Sequence, residues 1–172
     1  GQRVPMPEPD IARRPGSDDA ARLAERALQV PVTDVTRFAT GLDHFVYDVL
    51  LADGRRVVAR LSARGPVALH GAVEWSRRLR RLGVPLPAIL YADLAAEHTP
   101  FAALLLERLP GTDLGHVIDD LSPDQLHSIA TGVVDAQRRT ATLQRDVGFG
   151  YVASPVGPFP HARWTDVVAG SL

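Results

Sequence analysis

The sequence contains no cysteine, no lysine and no asparagine. The absence of cysteine excludes disulfides, thiolate zinc sites and a cysteine nucleophile, and it favours a reducing, cytoplasmic compartment. All 19 basic residues are arginine, so no lysine or asparagine side chain takes part in the chemistry. No apolar stretch approaches the roughly 20 residues that span a bilayer, and the first residues lack the apolar core of a secretory signal. We therefore expect no membrane partner.

The charges of the chain nearly cancel, with 19 basic and 20 acidic residues and a formal net charge of -1. No overall field would therefore recruit nucleic acid or an anionic membrane. The 172 residues, 45% of them hydrophobic, can bury one substantial core, or a small lobe and the beginning of a second. The six histidines have no spacing that suits a metal site on one helix or strand, so we predict no metal ligand.

The first half of the chain changes from helical to strand-like patterns. Proline at positions 5, 7, 9 and 15 precludes a sustained helix over residues 1–17, which we expect to form a disordered or extended leader. Ser17 can cap a helix over about residues 18–29. Strand-like segments follow at 32–38, 44–51 and 55–61. Asp53 and Gly54 predict a hairpin between the last two segments, because both residues tolerate the positive φ of a tight turn.

The second half begins with a helical pattern over residues 68–83, which Gly83 ends. Two more strand-like segments lie at 88–93 and 101–109, before a break at Pro110 and Gly111. The longest helix has Ser122 as its cap, and we expect it to bury an apolar stripe formed by Leu126, Ile129, Ala130, Val133 and Val134. The predicted fold class is α+β, with five antiparallel strands and one helix inserted after the third.

Four segments resemble the aminoglycoside phosphotransferase family in the correct order. The segment at 36–62, TRFATGLDHFVYDVLLADGRRVVARLS, is similar to its opening glycine turn, Val-Tyr pair and phosphate-binding strand. VEWSRRLRRLGVPLPAILYAD (73–93) resembles its helix and Gly-Val-Pro-x-Pro exit, LLLERLPGTDL (104–114) its interlobe hinge, and RDVGFGY (145–151) its Phe-Gly-Tyr segment. The resemblance implies a protein-kinase-like fold, with residues 18–110 as the N-lobe and residues 111–172 as the hinge and an incomplete helical C-lobe.

The third strand-like segment, which resembles the phosphate-binding strand of the family, contains a cationic residue. Strand alternation places Val58 and Arg60 on one face. The resemblance implies that Val46 and Val58 contact the base of ATP or GTP and that Arg60 points to the phosphates, where a kinase-like site needs positive charge. Glu74 is the matching anion. Two alternatives stay open: Arg60 is a surface strand arginine, or Glu74 pairs with Arg78 on its own helix.

The resemblance implies further nucleotide contacts at two connections. Gly41 and His44 lie in the turn before the Val-Tyr strand, where backbone N–H groups can face phosphates, although most such turns are only turns. The main chain from Glu107 through Arg108 to Leu109 corresponds to the hinge that would bind the purine edge. A buried edge strand followed by a surface turn would explain the same residues.

The residues for phosphoryl transfer itself are absent. That step needs an acceptor-orienting Asp in a His-x-Asp loop, then an Asn and a second Asp that hold magnesium. No histidine here is followed two places later by Asp, and there is no Asn, so this chain has no catalytic residue and no magnesium ligand.

The resemblance implies that the full-length protein transfers phosphate from ATP or GTP to a hydroxyl of a small molecule, such as an antibiotic, which would make it a resistance enzyme. The fragment alone is then inactive, and the surface where the C-lobe would dock favours self-association. The alternatives are a non-catalytic nucleotide- or protein-binding module derived from this fold, and an unrelated α+β domain.

Overall fold

A five-stranded antiparallel sheet with strand order β1-β2-β3-β5-β4 forms the centre of the computed structural model, which describes residues 13–39, 45–143, 148–150 and 157–170. The elements are α1 (Ser17–Leu28), β1 (Val32–Arg37), β2 (Phe45–Leu51), β3 (Arg56–Ser62), α2 (Val67–Arg81), β4 (Ile89–Asp93), β5 (Ala102–Glu107), α3 (Pro123–Thr140) and α4 (Trp164–Ala169), with two 3-10 turns at Leu114–His116 and Ile118–Asp120. The predicted α+β class, with one helix inserted after the third strand, is confirmed.

Local turn signals in the sequence are reproduced by the structure. Gly54 has a φ of 85° in the turn that joins β2 to β3, as the Asp-Gly pair predicts. Gly83 has a φ of 74° just after α2, where a left-handed residue ends the helix. Both positions require a backbone conformation that glycine adopts without steric strain.

One face of the sheet packs against α1. Alternate side chains of β2, β3 and β5 are buried there together with Ala20, Leu23 and Ala24 of the helix. Complete burial of a leucine such as Leu23 stabilises the fold by roughly 1.5–3 kcal/mol. This face holds the larger of two hydrophobic clusters, so α1 is the main support of the sheet.

The segment before α1 is attached to this core. The hydroxyl of Tyr47 donates a hydrogen bond of 2.8 Å to the carbonyl of Pro15, and burial raises the pKa of Tyr47 above its ordinary value. The N-cap is Gly16 rather than Ser17, because the buried carboxylate of Asp19 accepts from the Gly16 N–H at 3.0 Å. Pro15 is therefore buried and Gly16 partly buried at the end of the predicted leader, Arg13 and Arg14 are exposed, and residues 1–12 lie outside the described residues.

The opposite face of the sheet packs against α2. The second cluster has Leu69, Ala102 and Leu104 at its centre, with Val73 and Leu106 among the half-buried side chains around it. The two helices thus lie on opposite sides of the sheet, and the face that carries Leu104 and Leu106 also carries alternate residues of β3.

The long helix α3 begins as predicted but does not bury its apolar stripe. The Ser122 hydroxyl accepts from the Gln125 N–H at 3.3 Å, and the Gln125 side chain accepts from the Ser122 N–H at 2.8 Å, which confirms the capping box. The predicted stripe, by contrast, is exposed at all five positions. An amphipathic pattern identifies a face suited to burial, but not whether a partner element is present. Among the described helices, none is both long and apolar enough to cross a membrane.

Candidate functional site

Arg60 lies at the centre of the sheet, on the face that packs against α2. It is opposite Val46 on β2 and Leu104 on β5. Two residues before Arg60 on the same strand, Val58 is opposite Asp48 and Leu106. These positions form two adjacent cross-strand rows on one face, since alternate residues of a strand point to the same side.

The guanidinium of Arg60 is half-buried and has no acidic partner among the residues that the structure describes. Burial lowers the pKa of Arg60, because a low-dielectric environment disfavours the charged form. The side chain lines a cavity of about 200 Å³ between α2 and the sheet. A cation in such a position is available to an anionic ligand.

Glu74 does not reach Arg60. Its carboxylate accepts from Arg77 at 2.6 Å, and the alternative partner Arg78 lies over the ring of Trp75 instead. The predicted Arg60–Glu74 ion pair is therefore not formed in the structure. The reason is the rotation of α2 about its axis. Ala72 and Val73 face the sheet, so the Glu74 side chain lies on the flank of the helix, where it is 40% exposed. There it meets Arg77, which is one turn further along the same helix.

The main chain of the hinge is only partly engaged in hydrogen bonds within the described residues. The Glu107 N–H donates to the Ala88 carbonyl at 2.8 Å, and its carboxylate accepts from the Ala88 N–H at 3.0 Å. The Leu109 carbonyl already accepts from the Arg108 guanidinium at 2.6 Å. The Leu109 N–H has no hydrogen-bond partner within the described part of the chain. The Leu109 N–H is therefore one hinge donor that has no internal acceptor among the described residues.

Asp48 forms a charged cluster that the sequence did not reveal. Its Oδ2 lies 3.3 Å from Arg56 and 3.3 Å from Arg108, and Arg108 also lies over the ring of Phe38. The carboxylate is only 14% exposed, and Oδ1 is buried without a partner among the described residues. The one available signal was an acidic residue inside the apolar strand FVYDVLL. The cluster attaches the hinge to β2 at the position opposite Val58, next to a polar cavity of about 490 Å³.

Two predicted contacts lie outside the described residues. Gly41 and His44 belong to the connection between β1 and β2, which the structure does not describe, so their role stays a prediction. Of the RDVGFGY segment, Gly148, Phe149 and Gly150 are described; Phe149 exchanges backbone hydrogen bonds of 2.7 and 3.1 Å with His161. Within the described ranges, no three His, Asp or Glu side chains lie close enough together to hold a metal.

The model of the phosphotransferase enzyme family matches residues 34–167, which is more than half of the chain. The match includes the sheet from β1 onwards, α2, the hinge and α3. The chain belongs to the phosphotransferase enzyme family. A search of curated proteins finds no match.

Solved structures of aminoglycoside phosphotransferase APH(4)-Ia are similar in fold. One is a thermostable mutant in a ternary complex with ADP and hygromycin B. The match covers 88% of this chain and 49% of the chain in that structure, with 18% identity and a TM-score of 0.58. A second mutant, with AMP-PNP and hygromycin B, matches the same shares with 16% identity and a TM-score of 0.56. At these identities the likeness shows the kinase-like fold alone. The chain spans about half the length of these structures.

Proposed function

We propose that this chain is the nucleotide-binding lobe of a phosphotransferase that transfers the γ-phosphate of ATP or GTP to a hydroxyl of a small molecule. Family membership supports the reaction class. The observation that carries the proposal is the half-buried Arg60, which has no acidic partner among the described residues and lies on the sheet face that also carries Val46 and Val58.

Arg60 would neutralise charge on the nucleotide phosphates. A guanidinium binds phosphate oxygens with two parallel N–H donors, and such charge-assisted hydrogen bonds are about twice as strong as neutral ones. Partial burial strengthens the interaction further, because less water screens it. Since Glu74 is occupied by Arg77, the phosphates themselves supply the anion that Arg60 lacks.

The purine would lie against the row formed by Val58 and Leu106, with Val46 in the next row. These three side chains are apolar and half-buried, which suits the face of an aromatic base. The Leu109 N–H would donate to an acceptor on the purine edge. In this arrangement the sheet and hinge bind and orient the nucleotide.

The lobe fits the nucleotide but not a catalytic metal. The sequence has no Asn and no His-x-Asp, and the described residues contain no carboxylate cluster. Magnesium would accompany the nucleotide and neutralise its phosphate charge, held by residues other than these. We therefore propose that the chain alone is inactive. An antibiotic acceptor would make the whole protein a cytoplasmic resistance enzyme, since cytoplasm supplies the nucleotide.

The test is a titration with a fluorescent ADP analogue. Arg60→Met should weaken binding about tenfold to a hundredfold, because a hydrogen bond to a charged group contributes about 1.5–3 kcal/mol. Arg22→Met is the matched control, since Arg22 is exposed on α1, on the other side of the sheet. Equal affinity of the Arg60 variant and the unmodified chain would refute the proposed site.

A non-catalytic nucleotide-binding module is the second candidate, because nucleotide binding by Arg60 and the hinge requires neither His-x-Asp nor Asn. The reading frame after Leu172 separates the two. A His-x-Asp followed by Asn about five residues after the Asp supports an enzyme, and a stop codon supports the module. In both cases a phosphotransfer assay of this chain should give no turnover. Turnover that Arg60→Met abolishes would contradict the proposed inactivity of this chain and the non-catalytic module.

A further inference from the structure

The cavity between α2 and the sheet has almost entirely apolar walls. Its volume is about 200 Å³. The apolar lining consists of Ala72, Trp75, Leu79, Leu86, Pro87, Ile89, Leu104 and Leu106. Arg60 and Ser76 are the two polar residues that line it. An apolar chamber with one cation on its wall is complementary to an amphipathic anion rather than to a sugar or a bare phosphate.

Both polar side chains of the cavity are available to a ligand. Arg60 has no acidic partner in the described part of the chain. The Ser76 hydroxyl, half-buried on α2, likewise makes no hydrogen bond with any described residue. Neither side chain is fully buried, so the polar atoms of both still contact solvent, and a ligand in the cavity would replace that water with direct hydrogen bonds.

We propose that this cavity binds a small apolar carboxylate, with its hydrocarbon body against Trp75 and Leu79 and its carboxylate paired with Arg60. A carboxylate matches the planar fork of the guanidinium and leaves an oxygen for Ser76. An apolar cavity of roughly 150 Å³ accommodates a benzene-sized ligand, so this one has room for a six-membered ring and its carboxyl group. The inference goes beyond the proposed function and does not require nucleotide binding, and because both proposals use the Arg60 guanidinium, the carboxylate and the nucleotide phosphates would compete for it.

The experiment uses Trp75 as a reporter in this chain. Trp75 and Trp164 are the two tryptophans, and Trp164 is exposed, so Trp164→Phe isolates the cavity signal. The probes are cyclohexanecarboxylate and its neutral isostere cyclohexanecarboxamide, neither of which absorbs where tryptophan is excited. We expect a saturable fluorescence change with the carboxylate at millimolar concentrations and at least tenfold weaker binding of the carboxamide.

Three variants in the same background locate the site. Arg60→Met should remove the preference for the carboxylate, and Ala72→Leu should abolish binding of both probes by filling the cavity. Arg22→Met, on the opposite side of the sheet, should behave like the background chain. Circular dichroism checks that each variant is folded. If Ala72→Leu does not fold, the comparison of the carboxylate with the carboxamide still tests the proposal, because it uses the background chain alone.

The proposal is overturned if the two probes bind equally, if folded Ala72→Leu binds as the background does, or if neither probe changes the fluorescence at millimolar concentrations. A parallel titration with the fluorescent ADP analogue keeps the two proposals apart. Carboxylate binding without nucleotide binding would reject the proposed function alone, and the reverse result would reject this inference alone.

Discussion

The most direct structural prediction concerns Asp93, at the end of the edge strand β4. Its carboxylate is 3% exposed, and it accepts from the Glu97 N–H and the His98 N–H, each at 2.8 Å. These bonds shape the connection to β5. The same connection is braced by His98, which stacks on Tyr91 with 5.4 Å between the ring centroids. Replacing Asp93 with Ala therefore leaves two backbone donors without their acceptor.

The expected loss in the free energy of unfolding for Asp93→Ala is about 2–4 kcal/mol. Two hydrogen bonds to a charged group contribute roughly 1.5–3 kcal/mol each. Part of this is offset because the variant no longer desolvates a carboxylate. Asp93→Asn should lose about half as much, since the amide keeps one acceptor and places its NH₂ against the other donor.

Urea unfolding followed by circular dichroism measures the effect. With a slope of about 2 kcal/mol per molar, the midpoint for Asp93→Ala should fall by roughly 1–2 M at an unchanged slope. Asp135→Ala is the control, because Asp135 pairs with Arg139 in solvent on α3 and its loss should barely move the midpoint. A midpoint for Asp93→Ala equal to that of Asp135→Ala would refute the reasoning.

Two further predictions concern the segment before α1 and the exposed face of α3. Tyr47→Phe should reduce the free energy of unfolding by about 1–2 kcal/mol and accelerate tryptic cleavage after Arg13, because it removes the buried hydroxyl that holds the Pro15 carbonyl; unchanged cleavage would contradict this. Val133→Lys should weaken concentration-dependent self-association in sedimentation velocity, since Val133 is 52% exposed on the apolar face of α3. Equal association of the variant and the unmodified chain would exclude this face as the contact.

Features encoded within a few neighbouring residues could be predicted from the sequence. The capping box of Ser122 and Gln125 depends on residues three apart, and the hairpin depends on Asp53 and Gly54. Strand alternation likewise separates Arg60 from the core side of β3, because the side-chain period of a strand is two. Such signals need no knowledge of the rest of the fold.

Features that depend on distant neighbours could not be predicted. The Asp48 cluster joins residues of β2, β3 and the hinge, which meet because β3 lies between β2 and β5. The position of Glu74 depends on the rotation of α2 about its axis, and each residue turns the helix by about 100°. One residue of error in phase was enough to predict the wrong ion pair.

The final prediction follows from the partial burial of Arg60. An unpaired, partly desolvated cation lowers the stability of the fold when no ligand is bound. A buried lysine could lose its proton, but a guanidinium stays charged at any physiological pH, so only an anion can relieve the unfavourable desolvation. Nucleotide at a hundredfold excess over its Kd should stabilise the chain by about 2.7 kcal/mol. Thermal unfolding should therefore show Arg60→Met as the more stable protein without nucleotide and the less responsive one with it. Equal stabilisation of both by nucleotide would mean that the phosphates bind elsewhere.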